Sequence, residues 1–206
     1  MTRYNALVGR LGTKMPVFAV NQLQRYLSDF SGLYPGIQTW AEKVVDELQF
    51  GRRSLIIATV QNSLAGLVIT KNGTNAKLCH ISVAKEFWGH QIGTMLMRSS
   101  IEEMLRSGAR EVHATMSDDG VNNFGDFFAR SGFRLVETQR DRYREGLAEL
   151  VWRASKAQCT TYLDEVGSGP LPSTRKPTSR IVSATIPPSP SRICAGAWGV
   201  DRSQTK

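Results

Sequence analysis

Three short β-type runs, Ser54–Val60, Leu64–Thr70 and Ala76–Val83, follow one another with only a few polar residues between them. Each is rich in Val, Ile and Leu, the residues that suit a pleated, half-buried surface. The links Gln61-Asn62-Ser63 and Lys71-Asn72-Gly73-Thr74 are far shorter than the roughly dozen residues a parallel crossover takes. The three runs must therefore be antiparallel neighbours, a meander.

The period then changes. Ile92, Met95, Leu96, Ile101, Met104 and Leu105 repeat with helical spacing, and Ser107-Gly108 supplies a glycine stop. A short strand, Glu111–Met116, comes next. Strand, helix and strand between residues 76 and 116 make a crossover unit and place one parallel pair inside the sheet. A helix over Asn122–Arg130 and two strands, Phe133–Arg140 and Leu147–Trp152, complete the pattern. Upstream, Asn21 and Gln24 have capping-box spacing before Leu23, Tyr26, Leu27 and Phe30. Beyond the Tyr34-Pro35-Gly36 turn, Ile37, Trp40, Ala41, Val44, Val45 and Leu48 share one helical face. The expected class is α+β with a mixed sheet: two N-terminal helices, the meander, a βαβ crossover and a C-terminal hairpin.

A hydrophobic fraction of 41% over 206 residues suffices for one ordinary domain with an appendage. Residues 17–154 are expected to form it, with 1–16 a flexible N-terminus. Residues 155–206 read as a disordered Pro/Ser/Arg-rich tail holding seven basic and three acidic side chains of a chain with net charge +8. No run approaches the ~18 apolar residues of a membrane span, and Met1–Val20 lacks a signal peptide's apolar stretch. A soluble, cytoplasmic protein is expected. Cys79, Cys159 and Cys194 are odd in number and far apart, as are His80, His90 and His113, so neither a disulfide framework nor a metal site is expected.

The stretch from Val83 to Met97 carries the chemistry. A buried strand enters a short polar loop with two glycines, Gly89 and Gly93, and passes straight into an amphipathic helix. Such a loop presents backbone N–H groups at a helix N-terminus, where the dipole favours an anion of phosphate size.

The element order over residues 18–152 resembles the GNAT N-acetyltransferase fold, and the loop resembles that family's acyl-CoA motif, Arg/Gln-x-x-Gly-x-Gly/Ala. Trp88 stands at the Arg/Gln position, Gln91 at the first glycine and Gly93 at the second. Glu86-Phe87, Thr94-x-Leu96-Met97 and the helix Phe127-Phe128-Ala-Arg-Ser leading into Gly132-Phe133 are similar to the family as well. The resemblance implies a splayed central strand pair with acetyl-CoA as acyl donor. Ile81, Ser82 and Val83 would bind its pantetheine arm. The backbone from Trp88 through Gly89, His90, Gln91, Ile92 and Gly93 to Thr94 would cradle its pyrophosphate. Asn123 and Phe128 would lie near its sulfur. The acceptor would be a primary amine, in a small molecule, a peptide or an aminoacyl-tRNA, attacking the thioester directly.

Phe128 occupies the place where many family members carry the tyrosine that protonates the leaving thiolate. Tyr143 is a candidate for that role, and a turn residue otherwise. His80 and Asp118 are candidates for the general base. On strand alternation His80 and Ser82 share one face, with Cys79, Ile81 and Val83 on the other. His80 can equally be a histidine held within the sheet, and Asp118 and Asp119 turn or capping residues. Cys79 offers an acyl-cysteine route or simple packing. A non-catalytic acyl-CoA-binding module is the alternative function. No aromatic–basic stripe marks a nucleic-acid surface. A monomer and a homodimer both fit.

Overall fold

The computed structural model describes residues 6–10, 23, 24, 27, 36–61, 63–118, 121–142 and 145–167. They form a seven-stranded mixed sheet with helices on both faces. The strands are β1 (Ala6–Arg10), β2 (Arg53–Val60), β3 (Ser63–Lys71), β4 (Asn75–Val83), β5 (Glu111–Ser117), β6 (Arg134–Arg140) and β7 (Ala148–Ser155). Their spatial order is β1-β2-β3-β4-β5-β7-β6. The meander β2–β3–β4 is antiparallel, and β4–β5 is the one parallel pair of the sheet.

The helices are α1 (Ile37–Gln49), α2 (Ile92–Arg106), α3 (Val121–Arg130) and α4 (Lys156–Val166). One face of the sheet packs Val68, Leu78, Ile81, Val112, Ala114 and Met116 against α2, with Phe128 of α3 and Cys159 and Tyr162 of α4. The other face packs Leu55, Leu67, Ile69 and Cys79 against Trp40, Val44 and Leu48 of α1. Of the expected helix over Asn21–Phe30, the described positions Leu23, Gln24 and Leu27 are helical, and both leucines are buried in this second cluster.

Two expected boundaries need correction. Residues 1–16 are not all a flexible lead, because β1 pairs antiparallel with β2 from Ala6↔Val60 to Arg10↔Ile56, covering an edge that would otherwise expose its backbone groups. The domain does not end at Ala154 either. β7 runs to Ser155, and Ser155 caps α4 with a reciprocal capping box through Gln158. α4 turns Cys159, Tyr162, Leu163 and Val166 onto the main core. A Cβ added at Gly132 would sit 3.1 Å from the Gln158 carbonyl oxygen, so the α3–β6 turn and α4 are in close contact. The remainder of the expected tail, from residue 168, lies outside the described residues.

β4 carries an irregularity that strand alternation does not foresee. Ile69 pairs with His80 but Thr70 pairs with Leu78, which leaves Cys79 as an extra, bulged residue. The bulge reverses the faces beyond it. Cys79 lies in the α1 cluster and Ile81 in the α2 cluster, so they do not share a face as alternation suggested. The Arg53 guanidinium fixes the bulge. It pairs with Glu47, stacks over Trp40 at 5.5 Å and donates to the Cys79 sulfur at 3.0 Å, tying α1 to β4.

Candidate active site

The β4–β5 ladder is short. Its register runs from Asn75↔Glu111 to Leu78↔Ala114 and stops there. β4 continues from Cys79 to Val83 and β5 from Thr115 to Ser117, each held from the outside. β3 pairs with β4 as far as Val83, and β7 pairs with β5 as far as Ser117. A wedge therefore opens between two strands that their outer neighbours keep straight. A ligand that offers its own amides can take the ladder positions that the parted strands give up.

Close approach elsewhere sets this geometry. Gly66 of β3 faces Val83, and a Cβ there would lie 2.5 Å from the Ser82 carbonyl oxygen and 2.9 Å from Leu96 of α2. Only glycine lets β3, β4 and α2 meet at the wedge. At the wedge's end a single 3₁₀ turn, Lys85–Phe87, leads to the loop. The Trp88 and His90 amides are spent in the turn, on the carbonyls of Lys85 and Phe87 at 3.1 and 3.4 Å. The Trp88 indole N–H donates to the Val83 carbonyl at 2.9 Å, and the His90 Nδ1–H donates to the Trp88 carbonyl at 2.8 Å. These two side chains brace the loop.

With those two amides engaged, the first-turn amides of α2, Ile92, Gly93 and Thr94, are donors that a helix leaves without intrahelical acceptors. Gln91 is the N-cap, with left-handed backbone at φ 62°, and makes no side-chain capping bond. That conformation suits glycine, and Gln91 stands where the motif has one. A Cβ added at Gly93 would touch nothing nearer than 3.7 Å, against Phe127 and Val83. Packing does not require glycine at this point, and its smallness leaves the helix N-terminus open to close approach. Pyrophosphate fits this arrangement.

The other expected site residues are placed as follows. Phe128 is wholly buried, its ring 5.3 Å from Phe133 and 5.8 Å from Trp152, so it serves the core and has no surface for a cofactor. Its half-buried neighbour Phe127 is the ring beside Gly93, a residue the sequence reading passed over. Asp118 is exposed at the end of β5. Asn123 falls within α3 but its side chain, like Tyr143 and Asp119, lies outside the described residues. His80 is fully buried and shares a 2.8 Å hydrogen bond with Ser82 Oγ; burial pushes its imidazole down to about 3. A base that weak is neutral at physiological pH and a poor proton acceptor. Cys79 is buried under Arg53.

The α1-facing side of the wedge was also missed. On β5 and β7, Val112, Ala114, Met116, Leu150 and Trp152 face α2, so alternation turns Thr115, Ser117 and Glu149 the other way. All three are buried, and Ser117 pairs directly with Glu149. Among the described residues no helix is long and apolar enough to cross a membrane, and no three His, Cys, Asp or Glu side chains group as metal ligands would.

The parallel pair of this mixed sheet thus parts beside the N-terminus of α2. Residues 28–151 match the family model described as the acetyltransferase (GNAT) domain, and the chain belongs to that family of acyltransferases. No curated protein matches the sequence. Solved structures share the fold at low identity. A GNAT-family protein from Desulfovibrio desulfuricans superimposes with a TM-score of 0.61 at 19% identity, covering 73% of this chain and 98% of its own. The aminoglycoside 6'-N-acetyltransferase from Enterococcus faecium gives 0.58 at 15%, covering 72% and 96%. A GNAT family acetyltransferase from Elizabethkingia anophelis, with acetyl-CoA bound, gives 0.56 at 13%, covering 73% and 98%.

Proposed function

We propose that this protein transfers an acetyl group from acetyl-CoA to a primary amine. The observation that carries the reading is the wedge between Cys79–Val83 and Thr115–Ser117, ending at the first-turn amides of α2. The pantetheine arm would lie along the β4 edge at Ile81 and Ser82. The pyrophosphate would lie on Ile92, Gly93 and Thr94, where backbone donors and the helix dipole act together. The Trp88 indole already caps Val83, so that carbonyl is committed to the loop.

Acetyl-CoA supplies an acyl group activated as a thioester; the amine nitrogen forms the C–N bond as the C–S bond breaks, coenzyme A departs as thiolate, and the proton that the nitrogen loses passes to solvent. Thiolate leaves well near neutral pH, which reduces the need for a dedicated acid at the Phe128 position. The protein's own contribution is alignment: the wedge fixes the donor from one face and leaves the opposite face to the acceptor.

The test is thermal. Acetyl-CoA at 100 times its dissociation constant should stabilise the fold by about 2.7 kcal/mol through linkage, and no rise in Tm at millimolar acetyl-CoA would refute the reading. Free-thiol release against a panel of amines, peptides and aminoacyl-tRNA then distinguishes turnover from binding.

A further inference from the structure

The open edge of β4 ends on a side chain. Ala84 N–H donates to the Ala65 carbonyl at 2.9 Å, so Ala84 turns its backbone groups toward β3. In an antiparallel pair these groups alternate. Val83, set opposite Gly66, therefore turns its own to the other side, where the central strands part. The group that meets the Val83 carbonyl there is the Trp88 indole N–H, at 2.9 Å. Trp88 thus stands on the wedge side of β4, between the parted strand and the loop.

The surroundings of this ring are apolar. The Val83 side chain and the Phe127 ring both come within 3.7 Å of a Cβ added at Gly93, in the first turn of α2. Val83, Phe87 and Phe127 are packed against the main core, whereas Trp88 is 40% exposed although its nitrogen is pinned. An indole held at its polar tip offers its apolar body to whatever lies beside it. A donor arm along Ile81 and a pyrophosphate on the α2 amides would lie on either side of Trp88. The piece of the donor that joins them has to pass the ring. Next to the pyrophosphate that piece bears a pair of methyl groups, a surface that suits an aromatic face.

We propose that the Trp88 side chain binds the acyl donor itself, its ring covering the pantetheine arm where the arm leaves the wedge for the pyrophosphate. Where the motif has a polar Arg or Gln this chain has an indole, so part of the recognition of the donor moves from its phosphates to its arm. This inference rests on the acetyl-transfer reading above.

Titration of three proteins with acetyl-CoA, followed by calorimetry and by tryptophan emission, tests it. Trp88→Ala should bind acetyl-CoA about tenfold more weakly than the wild type, the equivalent of uncovering part of one indole face. Trp88→Phe keeps an aromatic face but gives up the hydrogen bond to Val83, and should lose no more than about threefold. Saturating acetyl-CoA should change the emission of the wild type, and most of that change should be absent from Trp88→Phe, because Trp40 and Trp152 are buried. Unchanged affinity in Trp88→Ala overturns the proposal. So does a loss in Trp88→Phe as large as that in Trp88→Ala, which would show that the side chain acts only by bracing the loop. If Trp88→Ala does not fold, equal emission changes in the wild type and Trp88→Phe overturn the proposal on their own. Failure of the wild type to bind acetyl-CoA refutes the donor reading instead.

Discussion

The two halves of the β4–β5 seam are built from the same pair of strands and behave oppositely. In the lower half, Ala76 and Leu78 meet Val112 and Ala114 through a parallel ladder, with apolar packing against α2. In the upper half the ladder is gone, while Ile81 and Met116 continue the apolar packing on the α2 side and Thr115 and Ser117 lie buried on the other. The closed half is held by burial, the open half by its outer neighbours β3 and β7. One strand pair thus serves as anchor at one end and as receptor at the other, and the bulge at Cys79 lies at the change.

If that contrast is right, truncation should be most costly in the closed half. Leu78→Ala removes a wholly buried side chain and should cost about 3 kcal/mol in denaturant unfolding. A cost below about 1 kcal/mol would show that the closed half is not an anchor.

A smaller effect comes from His80 in the open half, through pH. Its unfolded value is 6.5 and its folded value about 3, so the folded state holds the neutral ring. That stability is complete above pH 6.5 and is lost as pH falls toward 3. Lowering the pH from 8 to 5 should cost about 2 kcal/mol through this group. His113, held down to about 4 chiefly by burial and next by Lys77, acts in the same direction. His80→Asn should flatten the dependence, and an unchanged slope would refute the burial argument.

Next is Thr115. Its hydroxyl is buried without a partner in the described residues, so Thr115→Val should raise the stability of the ligand-free protein by about 1 kcal/mol. Destabilisation would mean the hydroxyl is already bonded within the fold. The smallest effect is at the loop: Gln91→Gly relieves a left-handed backbone and should be stabilising by at most about 1 kcal/mol, with acetyl-CoA affinity maintained or increased in calorimetric titration.

Much of this arrangement was legible because it is periodic. The runs around Leu55, Val68 and Leu78, the links too short to cross over, and the shift to helical spacing at Ile92 and Leu96 fix the meander and the crossover. α4 was missed, although Ser155 and Gln158 have capping-box spacing and Cys159, Tyr162, Leu163 and Val166 recur as one helical face. The proline-rich sequence beyond it drew the boundary too early. Of the site, Gly93 and the loop were read from the motif. Phe127 was overlooked because two adjacent phenylalanines look alike until a helix's rotation sends one to the core.

The sequence by itself determined the elements, their order, and the loop that ends β4 at a helix N-terminus, because those follow from local spacing and turn chemistry. Only the tertiary structure decided where the two central strands part, since nothing in the run from Ala76 to Val83 marks Leu78 as the last paired residue. It also decided the bulge at Cys79, which depends on how β3 registers against β4. Ser117 and Glu149 come together for the same reason: they lie far apart in the chain, and the pairing of β5 with β7 alone makes them neighbours.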